Sequence, residues 1–346
     1  MTVILIKAGL NLNPEAMQRL SCLVVRLAFT PCCVEAVSVM LAAHFILKVP
    51  LVWGLLMGFV IGAVSPAILV PSLLKLQKAG FGGQSGIHTL GIAASTIDDI
   101  LAISAFGIIS GLIFEHGTLV GDLIKGPVEV VLGISAGVLF GLLTIYLPHG
   151  SDKNVVPLRV FLLFSGGISF LFGAHRLGYE GAGPLACMIS SFVASCGWNL
   201  SDDDPKVVQE VTRAFSGIWF VFEPILFSLI GADIQLSHLT MEMLGKSLAV
   251  LGLALLMRFA AAYLVTFGGV FQKKERLFLA IAWMPKASVQ GLLGPIALEM
   301  ATQAADQTAM IYGEYILTVA VLSILLTAPA GAIAIKLAGS RLLQKS

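Results

Sequence analysis

Ten apolar segments, each long enough or nearly long enough to cross a lipid bilayer, recur along this chain of 346 residues. A membrane-spanning helix needs about 20 apolar residues. The composition agrees, because only 12% of the residues are charged, whereas a soluble domain carries roughly 25% charged residues. The sequence therefore predicts an all-α polytopic membrane protein with about ten transmembrane helices. The predicted segments are 20–47, 51–77, 86–114, 124–147, 157–175, 182–198, 211–232, 244–268, 276–300 and 312–337.

Basic residues indicate which loops face the cytoplasm, since short cytoplasmic loops are enriched in lysine and arginine. If the ten segments alternate in direction from a cytoplasmic N-terminus, fifteen basic residues fall on the cytoplasmic side and four on the other. This bias predicts an even number of spans with both termini in the cytoplasm. The net charge of +1 argues against a nucleic-acid-binding surface, so membrane lipids are the expected surroundings.

Two of the segments contain residues that interrupt a helix. The second reads GFVIGAVSPAILVPSLL and carries Pro66 and Pro71, and the ninth reads AIAWMPKASVQGLLGPIAL and carries Pro285 and Pro295. Proline removes a backbone donor and clashes with the preceding turn. Free backbone polar groups at membrane depth are tolerated only inside protein or around a water-filled cavity. Two broken helices in matching positions of two halves therefore indicate a transporter binding site.

The order of features in the two halves predicts an inverted repeat. Glu35 lies one segment before the first broken helix, and Arg258 lies one segment before the second. The two triplets of segments start on opposite sides of the membrane in the predicted topology. The predicted organisation is a remnant of a missing N-terminal helix plus a loop (1–19), a first core repeat (20–115), intervening helices with a dimerisation, scaffold and linker role (116–243), a second core repeat (244–337) and a cytoplasmic tail (338–346).

Asp98 and Asp99 are adjacent carboxylates inside the apolar stretch AASTIDDILAISAF. An ionisable residue in a membrane segment is a functional candidate, because it costs about 2.5–3.5 kcal/mol on insertion scales. Carboxylate oxygens are hard ligands that suit Na⁺ or Li⁺. A carboxyl group shielded from water can hold a proton in acid and a cation once the proton leaves, which is the simplest chemistry of exchange. The alternative is that the pair satisfies a nearby helix end.

Three further charges inside predicted segments have structural interpretations. Arginine stays protonated in proteins, so Arg258 needs a permanent anion, which is either Glu35 by symmetry or an aspartate of the site. Lys286 follows the break of the ninth segment, where the partial negative charge of a helix C-terminus favours a cation. Its alternative role is a salt bridge with Asp98 or Asp99. Glu223 is interpreted as a lining or interface residue.

The stretches GAVSPAILVPSLL, TIDDILAI, EPILFSLIGADI and AWMPKASVQG together resemble the animal sodium/proton antiporters of the NHA type, within the cation/proton antiporter superfamily. The resemblance implies a homodimer whose protomer has a dimerisation domain and a core with two crossing broken helices. It implies that Asp98 and Asp99 carry the ion and the proton, and that Arg258 pairs with Glu35. It also implies that Lys286 neutralises helix ends. The residues implied to help surround the cation are Val64, Ser65 and Thr96.

The predicted function is exchange of Na⁺ or Li⁺ for H⁺ by a transporter that is not an enzyme and needs no cofactor. An arginine in place of a titratable lysine favours electroneutral exchange, with an electrogenic or anion-coupled transporter as an alternative. A non-transporting truncated subunit that pairs with a full-length antiporter is another. An intramembrane aspartyl protease is disfavoured, because its two carboxyls share a proton across facing helices. The expected location is the plasma membrane or an endolysosomal or mitochondrial membrane.

Overall fold

The computed structural model describes residues 2–10, 12, 14–82, 86–114, 119–148, 154–179, 182–201, 206–232, 241–268, 271–304 and 306–345. Thirteen α-helices form within these residues, and a short π-helical turn, Ala43–Leu47, continues the second helix. The helices are α1 Thr2–Leu10, α2 Pro14–Ala42, α3 Leu51–Gly62, α4 Pro66–Lys78, α5 Ile87–Phe114, α6 Leu119–Tyr146, α7 Val155–Arg176, α8 Ala182–Ser201, α9 Lys206–Ala232, α10 Met241–Val265, α11 Lys273–Ala282, α12 Ser288–Gln303 and α13 Gln307–Leu342.

All ten predicted segments are helical, which confirms the all-α membrane architecture. Seven stretches of the described residues are long and apolar enough to cross a membrane by length and composition. Three predicted segments are outside that set. They are the sixth and seventh, which correspond to α8 and α9, and the ninth, whose two parts, α11 and α12, have only 10 and 16 residues. The helix of the first segment begins earlier than predicted, since α2 starts at Pro14 and not at residue 20. Its first turn is polar, so a pattern of apolar residues does not include it.

The chain forms two compact units, one of residues 1–14 and 117–226 and the other of residues 15–116 and 227–346. In the first unit, α8 packs against α1, α6 and α7. Three glycines of α6, spaced four residues apart, allow this close approach to α8. A Cβ on Gly133 or Gly137 would lie 2.8 Å from the carbonyl oxygen of Ala182 or Ala186. The roles predicted for the sequence ranges, including dimerisation, stay predictions.

The second unit contains both broken helices. The chain leaves α3 at Gly62 and re-enters a helix at Pro66, and it leaves α11 at Ala282 and re-enters at Ser288. Pro66 occupies the first turn of α4, where a missing N–H has no cost. The two breaks meet, since the Ser65 N–H donates a 2.8 Å hydrogen bond to the carbonyl of Pro285. The structure therefore brings together the two interruptions predicted from proline.

The contact between α2 and α3 depends on glycine. A Cβ on Gly58 would lie 2.8 Å from the Cα of Ala36, and the neighbouring atoms are backbone that cannot rotate away. We expect Gly58→Ala to lower the free energy of unfolding by about 1–3 kcal/mol, because overpacking forces the helices apart. Thermal unfolding of the purified protein measures this effect.

Gly252 offers the matched control for that substitution. It lies exposed on α10, and the described residues leave open space around its Cα. Gly252→Ala should leave stability unchanged or raise it by about 0.5–1 kcal/mol, since alanine is the better helix former. Equal effects of the two substitutions would mean that the close approach of α2 and α3 is not limited by Gly58.

Candidate ion-binding site

Arg258, on α10, donates hydrogen bonds to backbone carbonyls at the C-terminal ends of α3 and α11. Its side chain is fully buried. The Nε donates a 2.6 Å hydrogen bond to the carbonyl of Trp283, the residue that follows α11 as its C-cap. One terminal nitrogen, Nη1, donates to the carbonyl of Gly62, the last residue of α3. Helix C-termini carry partial negative charge, so one guanidinium stabilises the ends of two half-helices.

The same guanidinium binds two carboxylates. Nη1 lies 2.7 Å from Glu35 Oε2 on α2, and Nη2 lies 2.9 Å from Asp98 Oδ2 on α5. All three side chains are fully buried. Sequence reasoning offered either Glu35 or an aspartate as the partner of Arg258, and the structure has both. This arrangement uses four of the five donors that a guanidinium presents in a fixed fork.

Within the part of the chain that the structure describes, the Lys286 side chain bonds to Glu35 and not to a helix end. Its Nζ lies 2.6 Å from Glu35 Oε2, and its backbone N–H donates a 2.8 Å bond to Thr327 Oγ1 on α13. Both predicted roles of Lys286, at a helix end or against an aspartate, differ from this contact. Arg258 and Lys286 therefore share one oxygen of Glu35.

Asp98 and Asp99 follow each other on α5, so their side chains leave the helix about 100° apart. Asp98 is fully buried and Asp99 is 5% exposed. Asp98 Oδ2 accepts from the Val64 N–H at 2.6 Å as well as from Arg258. The other oxygen of Asp98 and Asp99 Oδ1 are buried and have no hydrogen-bond partner among the described residues.

The first break supplies the backbone around these carboxylates. Val64 and Ser65 are buried in the break, and the Ser65 hydroxyl has no hydrogen-bond partner in the described part of the chain. Buried polar atoms are normally satisfied. The unpartnered oxygens of Asp98, Asp99 and Ser65, which Glu35 Oε1 and Gln290 Oε1 join among the described residues, suit a dehydrated cation that takes oxygen ligands. Thr96 lies in α5 and Glu223 in α9, but their side chains are outside the described residues.

Gln290 belongs to this crossing, and sequence reasoning missed it. Its Nε2 donates to the carbonyls of Ile61 and Ala63 at 3.1 and 2.9 Å. The available signal was a single uncharged polar side chain within the otherwise apolar run VQGLLG. A search for charged residues in apolar segments finds aspartate, lysine and arginine but not glutamine. The unpaired carbonyls of a broken helix can accept hydrogen bonds equally well from an amide.

The charges of the crossing leave an excess of one negative charge when every group is ionised. The acids are Glu35, Asp98 and Asp99, and the bases are Arg258 and Lys286. One bound monovalent cation or one proton balances this excess. The arrangement can therefore hold one or the other at the aspartates without changing the remaining ion pairs.

Comparison with known proteins agrees with the fold. Residues 1–337 match the family described as sodium/hydrogen exchanger, transmembrane. Sodium/hydrogen exchanger 9B2 of Xenopus tropicalis is 41% identical over 346 residues, covering 100% of this chain and 63% of the relative. Human sodium/hydrogen exchanger 9B1 is 40% identical over 345 residues, covering 100% of this chain and 66% of the relative. The chain thus spans just under two thirds of the length of these curated relatives.

Among solved structures, the sodium proton antiporter MjNhaP1 from Methanocaldococcus jannaschii at pH 8 is similar with a TM-score of 0.77 at 20% identity. The match covers 99% of this chain and 83% of that chain, and it shows a shared fold. The family match over residues 1–337 and the identity to the animal exchangers go further. Together they show that the chain belongs to the transmembrane sodium/hydrogen exchangers, among the animal NHA-type members.

Proposed function

We propose that this chain is a secondary transporter that exchanges Na⁺ or Li⁺ for H⁺ by alternating access and without net movement of charge. The observation that carries the proposal is the pair Asp98 and Asp99, buried where the two broken helices cross, each with a free carboxylate oxygen. A cation and a proton compete for these oxygens, so release of one permits binding of the other. The relatives named as sodium/hydrogen exchangers support the same chemistry.

Electroneutral exchange is supported by the charge balance of the crossing. Arg258 cannot lose its proton, and its four hydrogen bonds hold it between Glu35, Asp98 and the two helix ends. With these charges paired, the crossing has one excess negative charge, which one monovalent cation or one proton neutralises. If one cation leaves as one proton binds, the carrier has the same net charge in both directions.

Alternating access follows from burial of the site. Asp98 is fully buried and Asp99 nearly so, so an ion reaches them only after a change in structure. A path open to both sides at once would dissipate the gradients that an exchanger uses. The homodimer, and residence in the plasma membrane or an endolysosomal or mitochondrial membrane, stay predictions from the family resemblance.

Reconstitution of the purified chain into liposomes with an internal pH dye tests the proposal. We expect an imposed Na⁺ or Li⁺ gradient to drive proton movement in the opposite direction, whereas a choline gradient should not. The rate should be the same whether valinomycin and K⁺ set the membrane potential to zero or to a negative value inside. The physical reason is that a one-for-one exchange moves no net charge through the potential.

The other outcomes of this assay select among the alternatives. A rate that rises or falls with membrane potential would replace electroneutral exchange with an electrogenic mechanism. Dependence on an external anion would indicate an anion-coupled transporter. Absence of cation-driven proton movement in liposomes that contain inserted, folded chain would favour the non-transporting subunit.

A further inference from the structure

Gln290 holds the end of α3 from the opposite broken helix. It lies in the first turn of α12, and its side chain is 1% exposed. A glutamine at this position often accepts a hydrogen bond from the backbone N–H of the residue that precedes its own helix, but here the Gln290 Oε1 has no hydrogen-bond partner among the described residues. The Gln290 amide instead donates to Ile61 and Ala63 across the crossing.

One of these bonds has a consequence for Asp98. The carbonyl of Ala63 and the N–H of Val64 are two ends of one peptide unit, which is planar, so in its trans form they point in opposite directions. Gln290 Nε2 donates to the carbonyl at 2.9 Å. The N–H donates to Asp98 Oδ2 at 2.6 Å. A buried amide and a buried carboxylate therefore hold opposite edges of the same peptide plane.

This peptide unit lies where a helix does not fix it. Ala63 follows α3 with extended backbone angles of φ −79° and ψ 142°, and Ser65 is also extended at φ −88° and ψ 107°. The orientation of the plane between them consequently depends on contacts with other elements. Hydrogen bonds that are linked through one peptide also polarise each other, which strengthens the N–H as a donor.

We propose that Gln290 is a positioning residue that keeps the Val64 N–H, and not the Ala63 carbonyl, directed at Asp98. The inference rests on the proposed function, in which Asp98 takes part in ion and proton binding. Without the amide, rotation of the peptide would place a carbonyl oxygen beside the carboxylate. Asp98 would lose a charge-assisted hydrogen bond, and these are the stronger class. The ionised form that binds a cation would then be less stable.

The charged and titratable groups around Asp98 remain the same when Gln290 is replaced. A change in the pH profile of exchange would therefore reflect a changed orientation of the Ala63–Val64 peptide. These groups come from α2, α5, α10 and the second break. They are Cys32, Cys33, Glu35, Asp99, Arg258 and Lys286.

Gln290→Met tests the inference, because methionine has similar length but no donor. In the liposome assay we expect the half-saturating Na⁺ concentration to rise about tenfold, the size of effect that loss of one buried hydrogen bond produces. The pH profile of exchange should move towards higher pH, while the maximal rate changes less. Gln303→Met is the matched control on the same helix, since Gln303 is exposed and its amide donates to Glu299, one turn away on the same helix surface. It should leave all three quantities unchanged.

A thermal double-mutant cycle with Asp98→Ala gives a readout that does not need transport. If Gln290 acts through the peptide on Asp98, Gln290→Met should lower the melting temperature less in the Asp98→Ala background than in the wild type. Additive losses, or an unchanged Na⁺ dependence and pH profile in Gln290→Met, would overturn the inference.

Failure of the proposed function would appear separately, as absence of exchange in the wild type, and the thermal cycle would then decide on Gln290 alone. If Gln290→Met cannot be purified, Gln290→Asn takes its place, because it keeps the amide on a side chain one methylene shorter. It should shift the same quantities in the same direction by a smaller factor. No shift in Gln290→Asn would count against the inference.

Discussion

Asp98→Asn and Asp99→Asn are each expected to abolish cation-driven proton movement while the protein still inserts and folds. Each substitution keeps the approximate shape of the side chain and removes the charge that competes for a cation or a proton. Asp98 also loses its ion pair with Arg258, so its variant should be the less stable of the two. The liposome assay measures exchange, and thermal unfolding of the same preparation shows whether the variant is folded.

Asp306→Asn is the matched control for the aspartates. Asp306 precedes α13, and its carboxylate accepts a 2.9 Å hydrogen bond from the Thr308 N–H. Asparagine caps a helix about as well as aspartate does, and the position is exposed. This variant should exchange at the wild-type rate. If Asp98→Asn and Asp99→Asn also do so, the ion is carried elsewhere in the protein.

Removing Glu35 is expected to have the largest effect on stability. Its Oε2 accepts from both Arg258 and Lys286 in a site with no exposed surface. Glu35→Gln therefore leaves a buried lysine without its anion and weakens the hold on the arginine. Breaking a buried ion pair from one side costs about 3–5 kcal/mol. Thermal or denaturant unfolding should show a loss of that size.

Double variants identify which partner of Glu35 matters more. Glu35→Gln combined with Arg258→Gln or with Lys286→Gln should cost less than the sum of the single changes, because groups in one network are coupled. We expect larger recovery with Lys286→Gln, since Arg258 keeps Asp98 and two helix-end carbonyls when Glu35 is lost. Strictly additive losses in both double variants would mean that the three charges do not act as one network.

An exposed ion pair on α10 provides the comparison. Lys246 lies 2.5 Å from Glu242 one helical turn away, with side chains 40% and 76% exposed. Surface pairs of this kind contribute little to stability, so Glu242→Gln and Lys246→Gln should leave unfolding nearly unchanged. A loss as large as that of Glu35→Gln would show that burial does not explain the effect.

The two helix breaks were predictable because proline has a local physical effect, but proline alone did not locate them. Pro31, Pro71, Pro295 and Pro329 lie inside continuous helices. The break before Pro66 differs because its free carbonyls are met by side chains from distant parts of the chain. Such hydrogen bonds depend on the tertiary structure. The sequence therefore indicated two candidate segments but not which proline begins a new helix.

The sequence predicted that Arg258 pairs with a carboxylate, but it did not predict that Arg258 pairs with two. Repeat symmetry pointed to Glu35, and the constant charge of arginine required an anion. The sequence could not show that one guanidinium also reaches Asp98, Gly62 and Trp283, because those contacts depend on the side chain's position at the crossing. The contact of Lys286 with Glu35 was not predictable for the same reason, since it depends on where the two side chains lie at the crossing.

The long sequence separation of the ion pairs has a consequence for synthesis of the protein. Arg258 lies 223 residues after Glu35 and 160 residues after Asp98. At about 5–20 residues per second, the ribosome finishes the acidic helices many seconds before it makes the arginine. A carboxylic acid can wait in the membrane as its neutral, protonated form, whereas arginine cannot shed its charge. The order of the sequence therefore brings the permanent cation into the membrane only after both of its carboxyl partners have been made.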